Sequence, residues 1–428
     1  MLSREENELL TQTDPGTPAG NYFRRFWLPA LMPWELPGPD CPPVRVRLLG
    51  EDLVAFRDTG GKVGLVDEAC PHRRASMFFG RNEECGLRCV YHGWKFDVEG
   101  NCTDMPNEPD EYRFQNRVRI TAYPTREYGG IIWTYMGDPD QMPDLPKLEW
   151  ARVPDSHRYV SKRLQENNYL QAIEGGIDSS HSNFLHASVD AFRLTDEYVE
   201  RFKNSSNLRA KYHIMDKAPV FTVKKTDYGL IIAVRRNADD DQYYWRLTQF
   251  MLPSYTIIPY QKGLSINGHC WVPRDDKTCF VWSVSWNPDG PLSMEDRESI
   301  RMESFIHEKV DPVTFLAVRN KGNNYLIDRE EQKANSMTGI HGFAAQDQAV
   351  QESMGPVADR SRERLGTSDT AIIAARRLLL SEIRASAEGT RPNAAQHGDV
   401  YWVRSASLLL KRDVEFDEGA RELLKAEV

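Results

Sequence analysis

Two short stretches constrain this chain more than anything else in it. CPHRRASM (residues 70–77) and CVYHGWKFD (residues 89–97) each hold one cysteine and one histidine, but at unequal spacing: Cys70-x-His72 first, then Cys89-x-x-His92. The chain has seven cysteines, at 41, 70, 85, 89, 102, 270 and 279, and only Cys70 and Cys89 carry a histidine two or three residues on. An odd count argues against a complete disulfide framework. The N-terminus, MLSREENELL, is charged and lacks the apolar run of a secretory signal, so a cytoplasmic location is expected, where thiols serve as ligands rather than disulfides. Two thiolates and two imidazoles make a set of four metal ligands. Structural zinc is one candidate, yet zinc sites usually pair Cys with Cys and His with His. Here each loop gives one sulfur and one nitrogen, which suits a Rieske [2Fe–2S] cluster: Cys70 and Cys89 on one iron, His72 and His92 on the other.

The flanking residues predict a small β domain around those loops. VRVRLLG, DLVAFRD and KVGLVDEAC read as short strands, and GWKFDVEGNC reads as a hairpin turning at Glu99-Gly100. Pro71 stiffens the first loop, and Gly93 lets backbone pass close to the sulfurs. Cys85, between the pairs, reads as a spare loop thiol. At 428 residues the chain has room for further domains. Its formal charge of −9 argues against a nucleic-acid surface, and no apolar run approaches the length of a membrane span.

A Rieske cluster moves single electrons and does no substrate chemistry, so a second redox centre or a docking partner is required. NNYLQAIEGGIDSSHSNFLHAS (residues 167–188) supplies a candidate. Tyr169, Leu170, Ile173 and Ile177 recur at helical spacing. His181 and His186 are five apart, about 140° off one face, so the helix must bend or break between them; Gly175-Gly176 and the serines permit that. Two histidines with a carboxylate form the facial triad of non-haem Fe(II) oxygenases, open to O2 and substrate on the opposite side. Asp328, Asp347 and Asp359 are the candidates for the carboxylate. Asp347 sits beside Val350 and Met354 at helical spacing, on a segment expected to turn that apolar face inward. Asp359 reads as a solvated group among Arg360, Arg362 and Arg364.

With these motifs in hand, the chain from about residue 15 to 385 resembles the α subunits of Rieske non-haem iron ring-hydroxylating oxygenases, most of all the phthalate 4,5-dioxygenase family. NYFRRFWLPALMPWELP, CPHR…CVYHGWKFD, EGGIDSSHSNFLH, YYWRLTQFMLP and GIHGFAAQDQAVQESMGPVADRSRERLGTSD carry the likeness. It implies an α+β protein: an N-terminal helical segment (1–40), an all-β Rieske domain (41–140) and a helix-grip catalytic domain of antiparallel sheet and helices (141–428). It also implies a mononuclear Fe(II) on His181, His186 and Asp347, although Gln346 stands where related enzymes often have Glu. Asp178 matches the aspartate that bridges Rieske and iron histidines across subunits, which implies a head-to-tail homotrimer, or two such rings stacked into a hexamer. No GxGxxG is present, so electrons are expected from a separate NADH-dependent reductase carrying flavin and a [2Fe–2S] cluster.

The implied substrate is an aromatic carboxylate such as a phthalate isomer, cis-dihydroxylated with O2. Arg246, on the strand-like QYYWRLTQF, and Arg209 are the candidate carboxylate binders, with Ser179 as a polar pocket residue. Arg235-Arg236 in IIAVRRNADDD read as flanking a solvent-exposed turn. Two other functions remain open: O-demethylation of a methoxylated aromatic acid at the same iron, and a Rieske electron carrier with no substrate chemistry. Residues 137–155 read as an interdomain link, and 366–386 as a helix capped by Thr367 or Ser368. The last forty residues read as a wrap around a neighbour or a cover for the pocket.

Overall fold

The structure, a computed structural model, describes residues 2–239 and 241–427. It divides into two compact units. The smaller is Gln12–Leu145 with Arg274–Asp276; the larger holds the chain up to Thr11, Pro146–Pro273, and the chain from Lys277 on. The first 40 residues contain α1 (Arg4–Thr11), α2 (Pro18–Phe23) and β1 (Trp27–Leu31). They are not a separate helical segment: α1 belongs to the larger unit, and α2 and β1 to the smaller. Among the described residues no helix is long and apolar enough to cross a membrane.

The smaller unit is all-β apart from α2 and short 3-10 turns. Its strands are β2 (Val44–Leu48), β3 (Glu51–Arg57), β4 (Val63–Asp67), β5 (Arg81–Glu83), β6 (Gly86–Arg88), β7 (Lys95–Phe96), β8 (Cys102–Asp104), β9 (Ala122–Tyr123), β10 (Thr125–Tyr128) and β11 (Ile131–Tyr135). They form three antiparallel sheets ordered β1-β11-β10, β2-β3-β4-β9 and β5-β6-β7-β8. Val54, Phe56, Val66, Met77, Leu87, Trp94 and Phe96 make one apolar core around Cys70 and Cys89. Cys85 is exposed in the β5–β6 turn.

The two cysteine loops close in the same way despite their unequal spacing. Cys70 N–H donates to Ala75 O and Arg74 N–H to Cys70 O; Cys89 N–H donates to Trp94 O and Gly93 N–H to Cys89 O, all within 2.8–2.9 Å. The fourth residue after each cysteine is left-handed, Arg74 at φ 63° and Gly93 at φ 80°. One loop form is therefore built twice, with the histidine shifted by one position. At Gly93 a Cβ would fall 2.6 Å from Pro106 Cγ, so what the missing side chain spares is the proline, not the approach to the sulfurs. Gly93→Ala is expected to strain this loop by about 1–3 kcal/mol. Melting temperature and the visible circular dichroism of the cluster should both fall; an unchanged cluster signal would count against the loop geometry.

The larger unit is built on one antiparallel sheet. Its strands are β12 (Arg158–Gln165), β13 (Val220–Lys225), β14 (Gly229–Asn237), β15 (Gln242–Met251), β16 (Tyr255–Ile258), β17 (Ile266–Asp275), β18 (Thr278–Trp286) and β19 (Ala406–Lys411). The order is β12-β18-β17-β16-β15-β14-β13, with β19 paired to β15. The last forty residues thus contribute a strand to this sheet, and behind it Arg404 forms a buried ion pair with Glu149. The helices that matter to the site are α3 (Tyr169–Ile177), α4 (Phe343–Ser353) and α5 (Thr370–Ala387). Ala371, Ala375, Leu379 and Ile383 form the buried stripe of α5. Thr367 and Ser368 do not cap it: they lie in a preceding 3-10 turn, which Asp369 closes by accepting from Gly366 N–H at 2.7 Å.

A buried ionic knot pins α3. Both carboxylate oxygens of Glu174 are taken, by Arg360 at 3.0 Å and by Arg376 of α5 at 2.7 Å. Asp359 is exposed as expected, but its neighbour Arg360 is fully buried, because Glu174 lies far away in sequence and near in space.

Candidate active site

Asn168 caps α3 by accepting from Leu170 N–H, and the helix runs unbroken through Gly175 and Gly176. The glycines are needed for close packing rather than for a bend: a Cβ would collide with Gln351 at the first and with the Trp271 ring at the second. The break comes at Asp178. Its carboxylate accepts from Ser180 N–H at 2.6 Å and His181 N–H at 3.2 Å, turning the chain into a 3-10 turn over His181–Asn183. The same carboxylate lies 3.4 Å from His181 Nδ1.

This turn brings the two imidazoles together, with His181 Nε2 and His186 Nε2 3.2 Å apart. Asp347 arrives from α4 and sets Oδ1 3.5 Å from each. Among the described residues these three form a His/Cys/Asp/Glu group close enough to hold a single metal ion. Asp328 and Asp359 are occupied otherwise, each accepting backbone N–H bonds at a helix start. Burial opposes ionisation of Asp347, but His186, His181 and Arg163 outweigh it and hold the carboxyl below its ordinary range. Two neutral nitrogens and one carboxylate on one side of a point fit a facial Fe(II) site.

The face of α4 differs from expectation. Val350 and Met354 are 38% and 57% exposed, and the buried residues are Ala344, Ala345, Gln346, Gln348, Gln351 and Glu352. The helix is held by polar contacts: Gln351 Oε1 accepts from Gln165 at 2.6 Å, and Glu352 accepts from Glu166 N–H at 2.8 Å. Asp347 reaches the site on a helix whose buried face is mostly polar, with only the small Ala344 and Ala345 as its apolar part.

A cleft of about 100 Å³ opens beside the triad. Apolar walls come from Ile258, Trp271, Phe305 and Phe343, and Arg163, Arg209, Arg246 and His269 supply polar groups. Strand β15 directs Arg246 and Thr248 into it. Arg246 is 8% exposed, and its Nε is buried with no hydrogen-bond partner. Arg209 projects from a single π-helical turn (Arg209–His213) and lies over the rings of Phe343 and Phe305, 5.3 and 5.8 Å from their centroids. Among the described residues neither guanidinium has an ion-pair partner. Burial and then Arg246 push Arg209 down to about 10, and burial and the same arginine hold His213 well below its ordinary value. Beside the carboxylates of Asp178 and Asp347, the cleft therefore holds two guanidiniums with no ion-pair partner among the described residues.

Ser179 also lines the cleft, but it is tied to Arg236. Arg236 is 1% exposed and does not flank a solvent turn. It donates to Ser179 O at 2.9 Å, Asn183 Oδ1 at 2.8 Å and Asp216 O at 3.1 Å, clamping the turn that carries His181. Burial and then Arg246 lower its pKa to about 9. The adjacent NADDD misleads, because Arg236 points from β14 back under the turn at 179–183. Arg236→Met would strip two buried acceptors, Ser179 O and Asn183 Oδ1, of their donor, each worth about 1–3 kcal/mol, and the part-buried Asp216 O as well. The variant is expected to melt lower and bind Fe(II) more weakly while keeping its Rieske absorption. A melting temperature equal to wild type would contradict the clamp.

In the smaller unit Cys70 and Cys89 are buried, and burial followed by the neighbouring Cys89 pushes the Cys70 thiol up to about 11. The His72 and His92 rings lie 4.4 Å apart, and His72 stacks on Trp94 at 4.4 Å. His72 Nδ1 is buried without a hydrogen-bond partner, as suits a nitrogen reserved for a metal. Two inner sulfurs and two outer imidazoles fit a Rieske [2Fe–2S] cluster.

Two protein families match this chain. Residues 26–124 match the Rieske [2Fe-2S] domain family, and residues 134–403 match the family described as LigXa C-terminal domain like. The phthalate 4,5-dioxygenase oxygenase subunit of Pseudomonas putida is 40% identical over 91% of this chain and 88% of its own. The 3-chlorobenzoate-3,4-dioxygenase oxygenase subunit of Comamonas testosteroni is 36% identical over 99% of each chain. The 5,5'-dehydrodivanillate O-demethylase oxygenase subunit of Sphingobium sp. (strain NBRC 103272 / SYK-6) is 30% identical over 92% of this chain and 83% of its own.

Proposed function

This chain belongs to the Rieske non-haem iron oxygenases, as the oxygenase component of an aromatic ring-hydroxylating or demethylating system, and we propose that it cis-dihydroxylates an aromatic carboxylate such as a phthalate isomer. The observation that carries the substrate class is a pair of arginines without an ion-pair partner among the described residues, buried Arg246 and half-buried Arg209, in the cleft beside His181, His186 and Asp347. A buried cation with no partner is costly unless a ligand supplies the anion. An arginine fork holds a carboxylate by two parallel bonds and so fixes the plane of the attached ring.

A cluster held by Cys70, Cys89, His72 and His92 would supply single electrons, and an iron held by His181, His186 and Asp347 would supply O2 activation. The protein's own contribution is positioning. Arg209 and Arg246 hold the carboxylate end, and Phe305, Phe343, Trp271 and Ile258 exclude water around the ring. Asp178 orients His181, while Arg236 and Asn183 hold the turn between the two histidines. Ser179 serves the cleft through its tie to Arg236.

Such an oxygenase component works with a separate electron donor, which we take to be an NADH-dependent reductase with flavin and a [2Fe–2S] cluster. A head-to-tail homotrimer, or two stacked as a hexamer, would let His92 of one protomer donate to Asp178 of the next and carry the electron across. The free cysteines fit a reducing cytoplasm. The second reading, O-demethylation, is favoured by the O-demethylase subunit among the relatives, since one iron serves both reactions and the pocket decides which carbon meets the oxygen.

Single-turnover assays separate these. The reduced protein is mixed with O2 and a panel of benzoates, phthalate isomers and methoxybenzoates, and product masses are read. A product gaining two oxygens and two hydrogens is expected. Formaldehyde release would establish the demethylase instead. No product from any carboxylate, with iron fully loaded, would rule out the arginine clamp.

A further inference from the structure

We propose that Gln346 is the positioning residue of His186, selecting the imidazole tautomer that leaves Nε2 free to bind the metal; this rests on reading His181, His186 and Asp347 as iron ligands. A neutral imidazole carries its hydrogen on one of two nitrogens, and only the other can donate a lone pair. Nε2 is the His186 atom that meets the shared corner, 3.2 Å from His181 Nε2 and 3.5 Å from Asp347 Oδ1. Its other nitrogen, Nδ1, lies 2.7 Å from Gln346 Oε1.

The amide is not free to present either end. Gln346 Nε2 donates to Ile340 O at 2.8 Å, which leaves the oxygen facing the ring. An acceptor at that place holds the hydrogen on Nδ1, and the lone pair then sits on Nε2. Both partners are out of water: the His186 side chain is 6% exposed and Gln346 is buried. Phe343 stacks on the imidazole at 4.4 Å and 15°, which limits rotation of the ring. Phe343, Gln346 and Asp347 all belong to the first turn and a half of α4, so one short stretch of helix gives His186 a stacking face, an acceptor and a fellow ligand. That stretch is set by Gly342 at φ 83°, where a Cβ would collide with Glu303 O.

The two histidines are thus held by different chemistry. His181 has the Asp178 carboxylate at Nδ1, whereas His186 has a neutral amide. Gln346 orients its histidine without adding another negative charge beside Asp347, which already supplies one. Outer partners of this kind typically govern metal affinity by 10–100-fold.

Two variants of the holoenzyme test this. Gln346→Leu removes both amide bonds. Gln346→Glu keeps an acceptor for His186 but loses the donor to Ile340. Fe(II) affinity is measured by competition with a chelator, and the ligand-field bands of bound Fe(II) by near-infrared magnetic circular dichroism. Rieske absorption and melting temperature report on the rest of the fold. The Leu variant is expected to lose about 10–100-fold in Fe(II) affinity and to shift those bands. The Glu variant should bind at least as tightly as wild type. A Leu variant that binds Fe(II) as tightly as wild type would overturn the proposal. So would a Glu variant as weak as the Leu one, which would assign the role to the Ile340 bond; this comparison decides even if the Leu variant folds poorly. Wild-type protein with no iron beyond the cluster would instead overturn the ligand reading beneath it.

Discussion

Asp347→Ala abolishes product formation and empties the mononuclear site while the Rieske absorption stays at its wild-type strength. This is the largest effect expected of any single substitution in the chain. Asp347 Oδ1 is equidistant from the two imidazole nitrogens, at 3.5 Å from each, and no other carboxylate of the described residues completes that group. His186, His181 and Arg163 together overcome burial and keep the carboxyl ionised at neutral pH, ready to bind a cation without first losing a proton. Removing it leaves two neutral imidazoles facing a divalent ion, with no anionic donor. The loss of affinity should exceed the 10–100-fold that follows from losing an outer partner. Iron analysis and single-turnover chemistry check this together. Retention of both the iron and the activity in the Ala variant would mean that the third ligand is elsewhere. Because the cluster loops belong to the smaller unit, the Rieske spectrum is an internal control for folding.

What could be read in advance, and what could not, follows the range of the interactions. The two cysteine loops were legible because a cluster needs its ligands within a few residues of each other, and so writes its signature locally. The strands around them and the hairpin at Gly100 were legible for the same reason. The His181/His186 pair announced itself, but the cause of the break did not. The glycines looked like hinge residues, yet they sit inside α3 and make room for Trp271 and Gln351, from strands and helices far along the chain. Arg236 is the plainest case. In its local window it stands beside a polar turn; in the folded sheet β14 carries it under Ser179 and Asn183, more than fifty residues earlier. The inward face of α4 was misjudged because Val350 and Met354 are apolar residues at helical spacing, while the neighbours that hold Gln351 and Glu352, Gln165 and Glu166 at the end of β12, are polar and out of view in sequence. The same blindness hid Gln346, whose role depends on an amide orientation fixed by Ile340.

Arg246→Ala lowers kcat/KM for aromatic carboxylates by about 30-fold to several thousand-fold, and it does so without destabilising the protein. Truncating one partner of a buried, hydrogen-bonded charge pair costs about 2–5 kcal/mol of binding, and each 1.4 kcal/mol is about tenfold. The stability half of the expectation comes from the free protein. There Arg246 has no ion-pair partner among the described residues, nor does its buried Nε find an acceptor among them, and its charge depresses the pKa values of Arg209, Arg236 and His213. A cation kept among other cations is a strain that the ligand relieves, so the Ala variant should melt at or above the wild-type temperature when no substrate is present. The ordering reverses on adding saturating substrate, which stabilises the wild type by mass action and the variant far less. A structural arginine would behave oppositely, losing stability in the free protein and leaving kcat/KM for carboxylated and uncharged rings changed in parallel. Melting curves with and without substrate, beside kcat/KM for a benzoate and an uncharged analogue of the same shape, discriminate the two. If the carboxylate loses nothing relative to the uncharged ring, the arginines are not the carboxylate site, and the positive charge of the cleft must serve another anion.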